Sequence, residues 1–137
     1  MVNKLQKLSL LSEMIAFAKY NKDIRDIEYN FLIAVAKQLG VSRDAFDCLI
    51  ENPVSYRHLK SFSERIVQFH RLILLMNIKK KHGFGNTYKS IAKLYNSGLR
   101  MGLSPESISN VLSFINRNPN KIIPPDVLIN IFKVQCN

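Results

Sequence analysis

The spacing of apolar residues is the most informative feature of this sequence. Apolar residues recur every three or four positions in segment after segment, as expected when one face of an α-helix is buried. No segment alternates polar and apolar residues over the length of a strand, so no β-strand is predicted. Only five glycines and five prolines are present, which leaves few forced turns. These features predict an all-α protein.

Capping and breaking residues divide the chain into about seven predicted helices. Gly40 and Gly102 are expected to end helices in the left-handed conformation, and Ser42 and Ser104 to cap the helices that follow. The predicted helices are 3–19, 25–39, a short one between 42 and 52, 55–81, 87–101, and two that begin near 105 and 125. The fourth is apolar nearly all round in its C-terminal half, which predicts a central helix covered on several sides.

Length and composition indicate one soluble domain over residues 1–137. The longest apolar run, 72–76, is far too short to cross a bilayer, and the amphipathic start does not resemble a signal peptide. Cys48 and Cys136 form no CxxC pair and are interpreted as reduced thiols, which favours the cytoplasm. Cys48 lies on an apolar stripe and is expected in the core, as are the apolar residues Leu5, Ile27, Tyr88 and Leu99.

A shift of 62 residues superimposes the two halves of the chain. It aligns Gly40 with Gly102 and Ser42 with Ser104, and it also aligns two small residues, Ala36 and Gly98. Further apolar pairs are Leu11 with Ile73, Leu32 with Leu94, Leu39 with Met101, Phe46 with Ile108 and Ile50 with Leu112. The repeat predicts two helix-turn-helix halves packed about a pseudo-dyad, with a close helix crossing at the small residue of each half.

These residues resemble the TerB-like family, the helical domain associated with tellurite resistance, especially its short Bacteroidetes versions. The resemblance covers roughly residues 8–115. It rests on Ile15-Ala16-Phe17-Ala18, on residues 24–40 with Glu28, Phe31, Leu32 and Ala36, on Gly40-Val41-Ser42, on Leu74-Leu75-Met76, and on Met101-Gly102-Leu103-Ser104. The resemblance implies a TerB-like helical bundle and a role connected with stress or tellurite resistance.

The resemblance also implies a divalent metal site. In the family, an Ala-Asp-Gly turn and a glutamate early in the following helix supply acids proposed to hold metal ions. The acids of the first half here are Asp23, Asp26 and Glu28, whereas Asn21 and Lys22 stand where the family has Asp-Gly. The corresponding positions of the second half carry no acid: they are Gly83, Phe84 and Ser90.

Three acids with basic residues between them make a poor metal site, because a hard cation prefers six or more oxygen ligands. The favoured alternative is that Asp23 or Asp26 caps the second helix and Glu28 stabilises its positive end. We therefore expect no cofactor.

The formal charge of +10 is concentrated in one part of the chain. Residues 1–54 carry seven basic and seven acidic residues. Residues 55–100 carry ten basic residues against the single acid Glu64. Such an excess of positive charge attracts phosphate-rich polymers or an anionic surface. The predicted anion-binding residues are Arg71, Lys79, Lys80, Lys81, His82, Lys89 and Lys93. The alternative is that these cations only solvate the outer faces of two long helices.

Catalysis has less support in the sequence. His58, His70 and His82 recur at intervals of twelve, but each step rotates about 120° around a helix, so the three cannot share one face. No serine or cysteine stands in a recognised nucleophile context, and no phosphate-binding glycine loop is present. We expect a non-catalytic module that binds another protein. The alternative is a protein that binds nucleic acid or an anionic surface through residues 55–100.

Overall fold

Seven α-helices follow one another along the described part of the chain, with no β-strand among them. The computed structural model describes residues 2–19, 24–81, 87–118 and 121–136. The helices are α1 (Lys4–Ala18), α2 (Asp26–Gln38), α3 (Arg43–Glu51), α4 (Phe62–Lys81), α5 (Thr87–Arg100), α6 (Pro105–Arg117) and α7 (Pro125–Cys136). The predicted all-α fold is confirmed. None of these helices is long and apolar enough to cross a membrane.

The helix α4 is the centre of the bundle, as its sequence predicts. It packs against α1, α2, α5 and α7. Its apolar residues Phe69, Leu72 and Ile73 are completely buried. An apolar surface on several sides of a helix can be kept from water only when neighbouring helices cover each side.

The turn between helices is the same in both halves. Gly40 and Gly102 have φ angles of 75° and 79°, a conformation that favours glycine. In the first turn the N–H of Val41 donates to the oxygen of Ala36, and in the second the N–H of Leu103 donates to Gly98. Ser42 and Ser104 then cap α3 and α6 by accepting from the backbone N–H groups three residues on.

The second half also contains the predicted close crossing. A Cβ atom added to Gly98 would lie 2.7 Å from Cδ1 of Ile108 and 2.9 Å from Cε1 of Phe69. Those distances are shorter than van der Waals contact, so only glycine lets α5 approach α4 and α6 this closely.

The predicted start of the fourth helix was wrong by seven residues. The sequence predicts a helix from Ser55, but α4 begins at Phe62. Residues 53–60 instead form a non-helical strap. Two α1 hydroxyls hold it: Ser12 accepts from the N–H of Val54 at 3.0 Å and Ser9 accepts from the N–H of Arg57 at 2.8 Å. These two bonds and the buried side chain of Leu59 hold the strap in its non-helical path.

Five residues expected in the core are exposed. Leu5, Ile27, Tyr88 and Leu99 are between 37% and 84% exposed. Each lies in the first or last turn of its helix. Cys48 is exposed because the buried side of the short α3 is formed by Phe46 and Leu49. The predicted turn at 83–86 lies outside the described residues.

Candidate binding cleft

The cations of residues 55–100 occupy very different positions. Arg57, Lys60, Lys89, Lys93 and Arg100 are exposed. Arg65 is half-buried and donates to the carbonyl oxygen of Met101, and Arg71 is half-buried and donates to Oε1 of Gln68. Burial lowers the pKa of Arg71. His82 and the side chains of Lys80 and Lys81 lie outside the described residues.

Lys79 does not lie on an exposed face. Its side chain is only 5% exposed, and Nζ donates to the carbonyl oxygen of Phe17 at 2.9 Å. Nζ also lies 5.8 Å from the centre of the Phe17 ring. Burial lowers the pKa of Lys79, while the carboxylate of Glu28 opposes that effect. Lys79 therefore joins α4 to α1 and is not available to an anion in solvent.

The exposed cations of α5 form a stripe along one side of the helix. Lys89, Lys93 and Arg100 are four and seven residues apart, which places them within about 40° of one another around the helix axis. Within the described residues, no hydrogen bond or ion pair holds Lys89 or Lys93. Two of the predicted anion-binding residues thus share one exposed face.

This stripe borders a cleft of about 520 Å³. Three elements form the cleft: α1, the strap and α5. Its apolar lining comes from Ala16 and Phe17 of α1 and from Pro53 and Val54 of the strap. Its polar lining is Ser9, Ser12, Glu13, Tyr56, Lys93, Asn96, Ser97 and Arg100. Clefts of this size accommodate a small molecule or a few residues of a peptide.

An ion pair closes one end of the cleft. Nη2 of Arg100 lies 2.5 Å from Oε2 of Glu13, whose side chain is 5% exposed. Nε2 of Gln68 donates to the other Glu13 oxygen at 3.0 Å, so both carboxylate oxygens accept a hydrogen bond. The guanidinium of Arg100 also lies 4.6 Å from the centre of the Tyr56 ring. Arg100 is therefore already neutralised by Glu13.

Tyr56 ties the strap to the end of α5. Its hydroxyl donates to the carbonyl oxygen of Arg100 at 3.4 Å. Burial raises the pKa of Tyr56, and the nearby negative charge of Glu13 adds to that effect. The phenol consequently stays protonated and able to donate at neutral pH.

The predicted metal ligands are not brought together. Glu28 is fully buried, whereas Asp26, two residues earlier on α2, is exposed. Helical residues two positions apart project about 200° apart, so one ion cannot reach both side chains. No group of three potential ligands occurs among the described residues, and Asp23 lies outside them.

The alternative of a capping aspartate is wrong for Asp26. The helix α2 starts at Asp26, and the residue before it, Arg25, makes no side-chain capping bond. Asp26 and Glu28 do lie in the first turn, where carboxylates suit the positive end of the helix.

Glu28 has an environment that the sequence did not reveal. Neither carboxylate oxygen has a hydrogen-bond partner among the described residues. Burial raises the pKa of Glu28, while the positive charges of Lys79, Arg25 and Lys93 oppose that rise. Glu28 is thus a buried acid between the cation of α4 and the exposed stripe of α5.

Neither a protein-family model, nor a curated protein, nor a solved structure matches this chain. The TerB-like resemblance therefore stays a prediction. The functional argument rests on the geometry of the chain itself.

Lys93 was among the residues predicted to bind an anion, whereas the α1 side of the cleft was not predicted. Ser9, Ser12 and Glu13 are polar residues buried on a helix that otherwise supplies the core. That exception was the available signal, because a buried polar residue needs a partner. Their partners lie in the strap, in α4 and in α5, more than 40 residues away along the chain.

Proposed function

We propose that this chain is a non-catalytic interaction module of TerB-like fold that binds another protein in the cleft between α1 and α5. The observation that carries the proposal is the cleft itself: an open, largely apolar trough with the exposed Lys93 on its α5 edge. In keeping with the family that the sequence resembles, we propose a cytoplasmic role in stress or tellurite resistance.

The polar groups of the cleft support binding over catalysis. The hydroxyls of Ser9 and Ser12 accept backbone N–H groups of the strap, and Glu13 is held by Arg100 and Gln68. The described lining contains no histidine or cysteine that could act as a base or nucleophile. These side chains position the walls of the cleft.

Site-specific photo-crosslinking tests this proposal. A photoreactive residue would replace Ala16, which is exposed and lines the cleft, and in a control would replace Ala34, which is exposed on α2. In the cells that produce the protein, we expect the same identified partner protein to crosslink at Ala16 and not at Ala34. Equal crosslinking at both positions would show that the cleft is not the binding surface.

A second candidate function is binding to nucleic acid or an anionic surface. The four exposed cations Arg57, Lys60, Lys89 and Lys93 favour it, because phosphate polymers are attracted to positive charge. Fluorescence anisotropy with duplex DNA and single-stranded RNA, at low and near-physiological salt, separates the two candidates. Binding that persists near physiological salt and is lost when Lys89 and Lys93 become Gln would favour the nucleic-acid function. No binding, or binding removed by modest salt, would favour the protein partner.

A further inference from the structure

The cleft between α1 and α5 has two electrically different ends. Lys93 lies at one end, and no ion pair holds it within the described residues. Arg100 lies at the other end, where the buried Glu13 carboxylate pairs with it. An incoming carboxylate can form a direct ion pair with Lys93, whose charge also acts on the buried Glu28 but makes no direct ion pair within the described residues. The charge of Arg100, by contrast, is already neutralised by its direct pair with Glu13.

The length of the cleft limits what can occupy it. Lys93 and Arg100 are seven residues apart on α5, which corresponds to about 10 Å along the helix axis. An extended peptide rises about 3.3 Å per residue, so about three residues span that distance.

The walls of the cleft offer both apolar side chains and a side-chain amide. Ala16, Phe17, Pro53 and Val54 offer a site for an apolar side chain. Asn96 lies on the opposite wall, and its exposed side-chain amide supplies the donor and acceptor that a peptide group requires.

Resting on the proposed function, we infer that the occupant is an extended acidic segment of a partner protein, in which a glutamate or aspartate stands next to an apolar residue. The acid pairs with Lys93 and is attracted by Lys89, and the apolar side chain packs against the apolar lining from α1 and the strap. The residue at the Arg100 end is uncharged. A nucleic-acid strand fits less well, because its evenly spaced phosphates would face the apolar lining and the Glu13 carboxylate.

An array of synthetic nine-residue peptides tests this inference. The peptides carry one leucine and two glutamates at varied positions, with matched sets in which glutamine replaces glutamate or glycine replaces leucine. We expect retention of peptides with adjacent leucine and glutamate, and loss of retention in both matched sets. Anisotropy of the best labelled peptide then gives the affinity for each variant of the full chain.

Two variants of the cleft, each with a matched control, locate the binding. Lys93→Gln is expected to weaken peptide binding at least about threefold, the scale of one exposed ion pair. Ala16→Trp fills the cleft and is expected to weaken it at least about tenfold. Lys133→Gln on α7 and Ala34→Trp on α2 change exposed residues outside the cleft and should leave the affinity unchanged.

The outcomes separate this inference from the function on which it rests. Neutral peptides that bind as tightly as acidic ones, with loss of binding in Ala16→Trp alone, would overturn the acidic occupant and keep the protein-binding cleft. Retention of no peptide in the array, with an identified crosslink at Ala16, would likewise overturn the acidic segment only. Retention of no peptide and no crosslink at Ala16 would overturn both proposals.

Discussion

At the scale of single residues, the least expected features are two buried ionisable groups. Lys79 is 5% exposed and Glu28 is fully buried, on neighbouring helices of the core. Lys79 has a carbonyl partner, but neither oxygen of Glu28 accepts a hydrogen bond from a described residue. Burying a carboxylate without such bonds penalises its charged form, and the cation of Lys79 only partly offsets that penalty.

Glu28→Gln is expected to reduce the pH dependence of the unfolding free energy. Burial raises the folded-state pKa of Glu28 above its usual value of 4.5. The contribution of protonated Glu28 to the unfolding free energy is therefore fully present below about pH 4.5. That contribution is lost as the pH rises through the folded-state pKa. Glutamine cannot ionise. Relative to wild type, the variant should therefore gain stability as the pH rises from acidic to mildly basic values.

Urea denaturation across that pH range measures the effect. Glu51→Gln removes the same charge from an exposed position at the end of α3 and serves as the control. Parallel pH profiles for wild type and Glu28→Gln would contradict a buried, destabilising charge at Glu28.

At the scale of helices, Gly98 sets how closely α5 approaches its neighbours. Gly98→Ala should lower the unfolding free energy by about 1–2 kcal/mol, because overpacking against Ile108 and Phe69 outweighs the better helix propensity of alanine. Chemical denaturation gives the value. Ala92→Gly, at an exposed position of the same helix, isolates the propensity effect and should itself cost about 1 kcal/mol. An increase in stability for Gly98→Ala would show that the crossing can relax.

At the scale of the whole molecule, the strap joins the two halves and creates the cleft. It runs from the end of α3 to the start of α4 and is anchored by Leu59, which is 2% exposed. Its backbone bonds to Ser9 and Ser12 fix it against α1, while Tyr56 reaches α5. Without this crossing segment, α1 and α5 would form an open groove with no third wall.

The double variant Ser9→Ala and Ser12→Ala is expected to release the strap. The part-buried N–H groups of Val54 and Arg57 then lack acceptors, at a cost of about 1–3 kcal/mol each. Amide hydrogen exchange should accelerate at these two positions, and peptide binding in the cleft should weaken. Ser109→Ala, exposed on α6, is the control. Unchanged exchange at Val54 and Arg57 would mean that other contacts hold the strap.

Most of the helices and the repeated turns could be predicted from the sequence, because they depend on interactions within a few residues. The central place of α4 could be predicted because its apolar residues lie on several sides of the helix. Gly40 and Gly102 adopt positive φ, and Ser42 and Ser104 cap helices, through bonds that span at most five residues. The concentration of cations in residues 55–100 was also visible in the sequence.

Which of those cations reach solvent depends on contacts between distant parts of the chain, which the sequence does not reveal. Lys79 and Lys93 belong to the same basic segment, yet one bonds to Phe17 in the core and the other borders the cleft. The strap in place of a helical turn, and the pair of Glu13 with Arg100, likewise depend on partners more than 40 residues away. Helical periodicity gives the side of a helix on which a residue lies. Whether its side chain is buried or paired depends on which other part of the chain packs against that side.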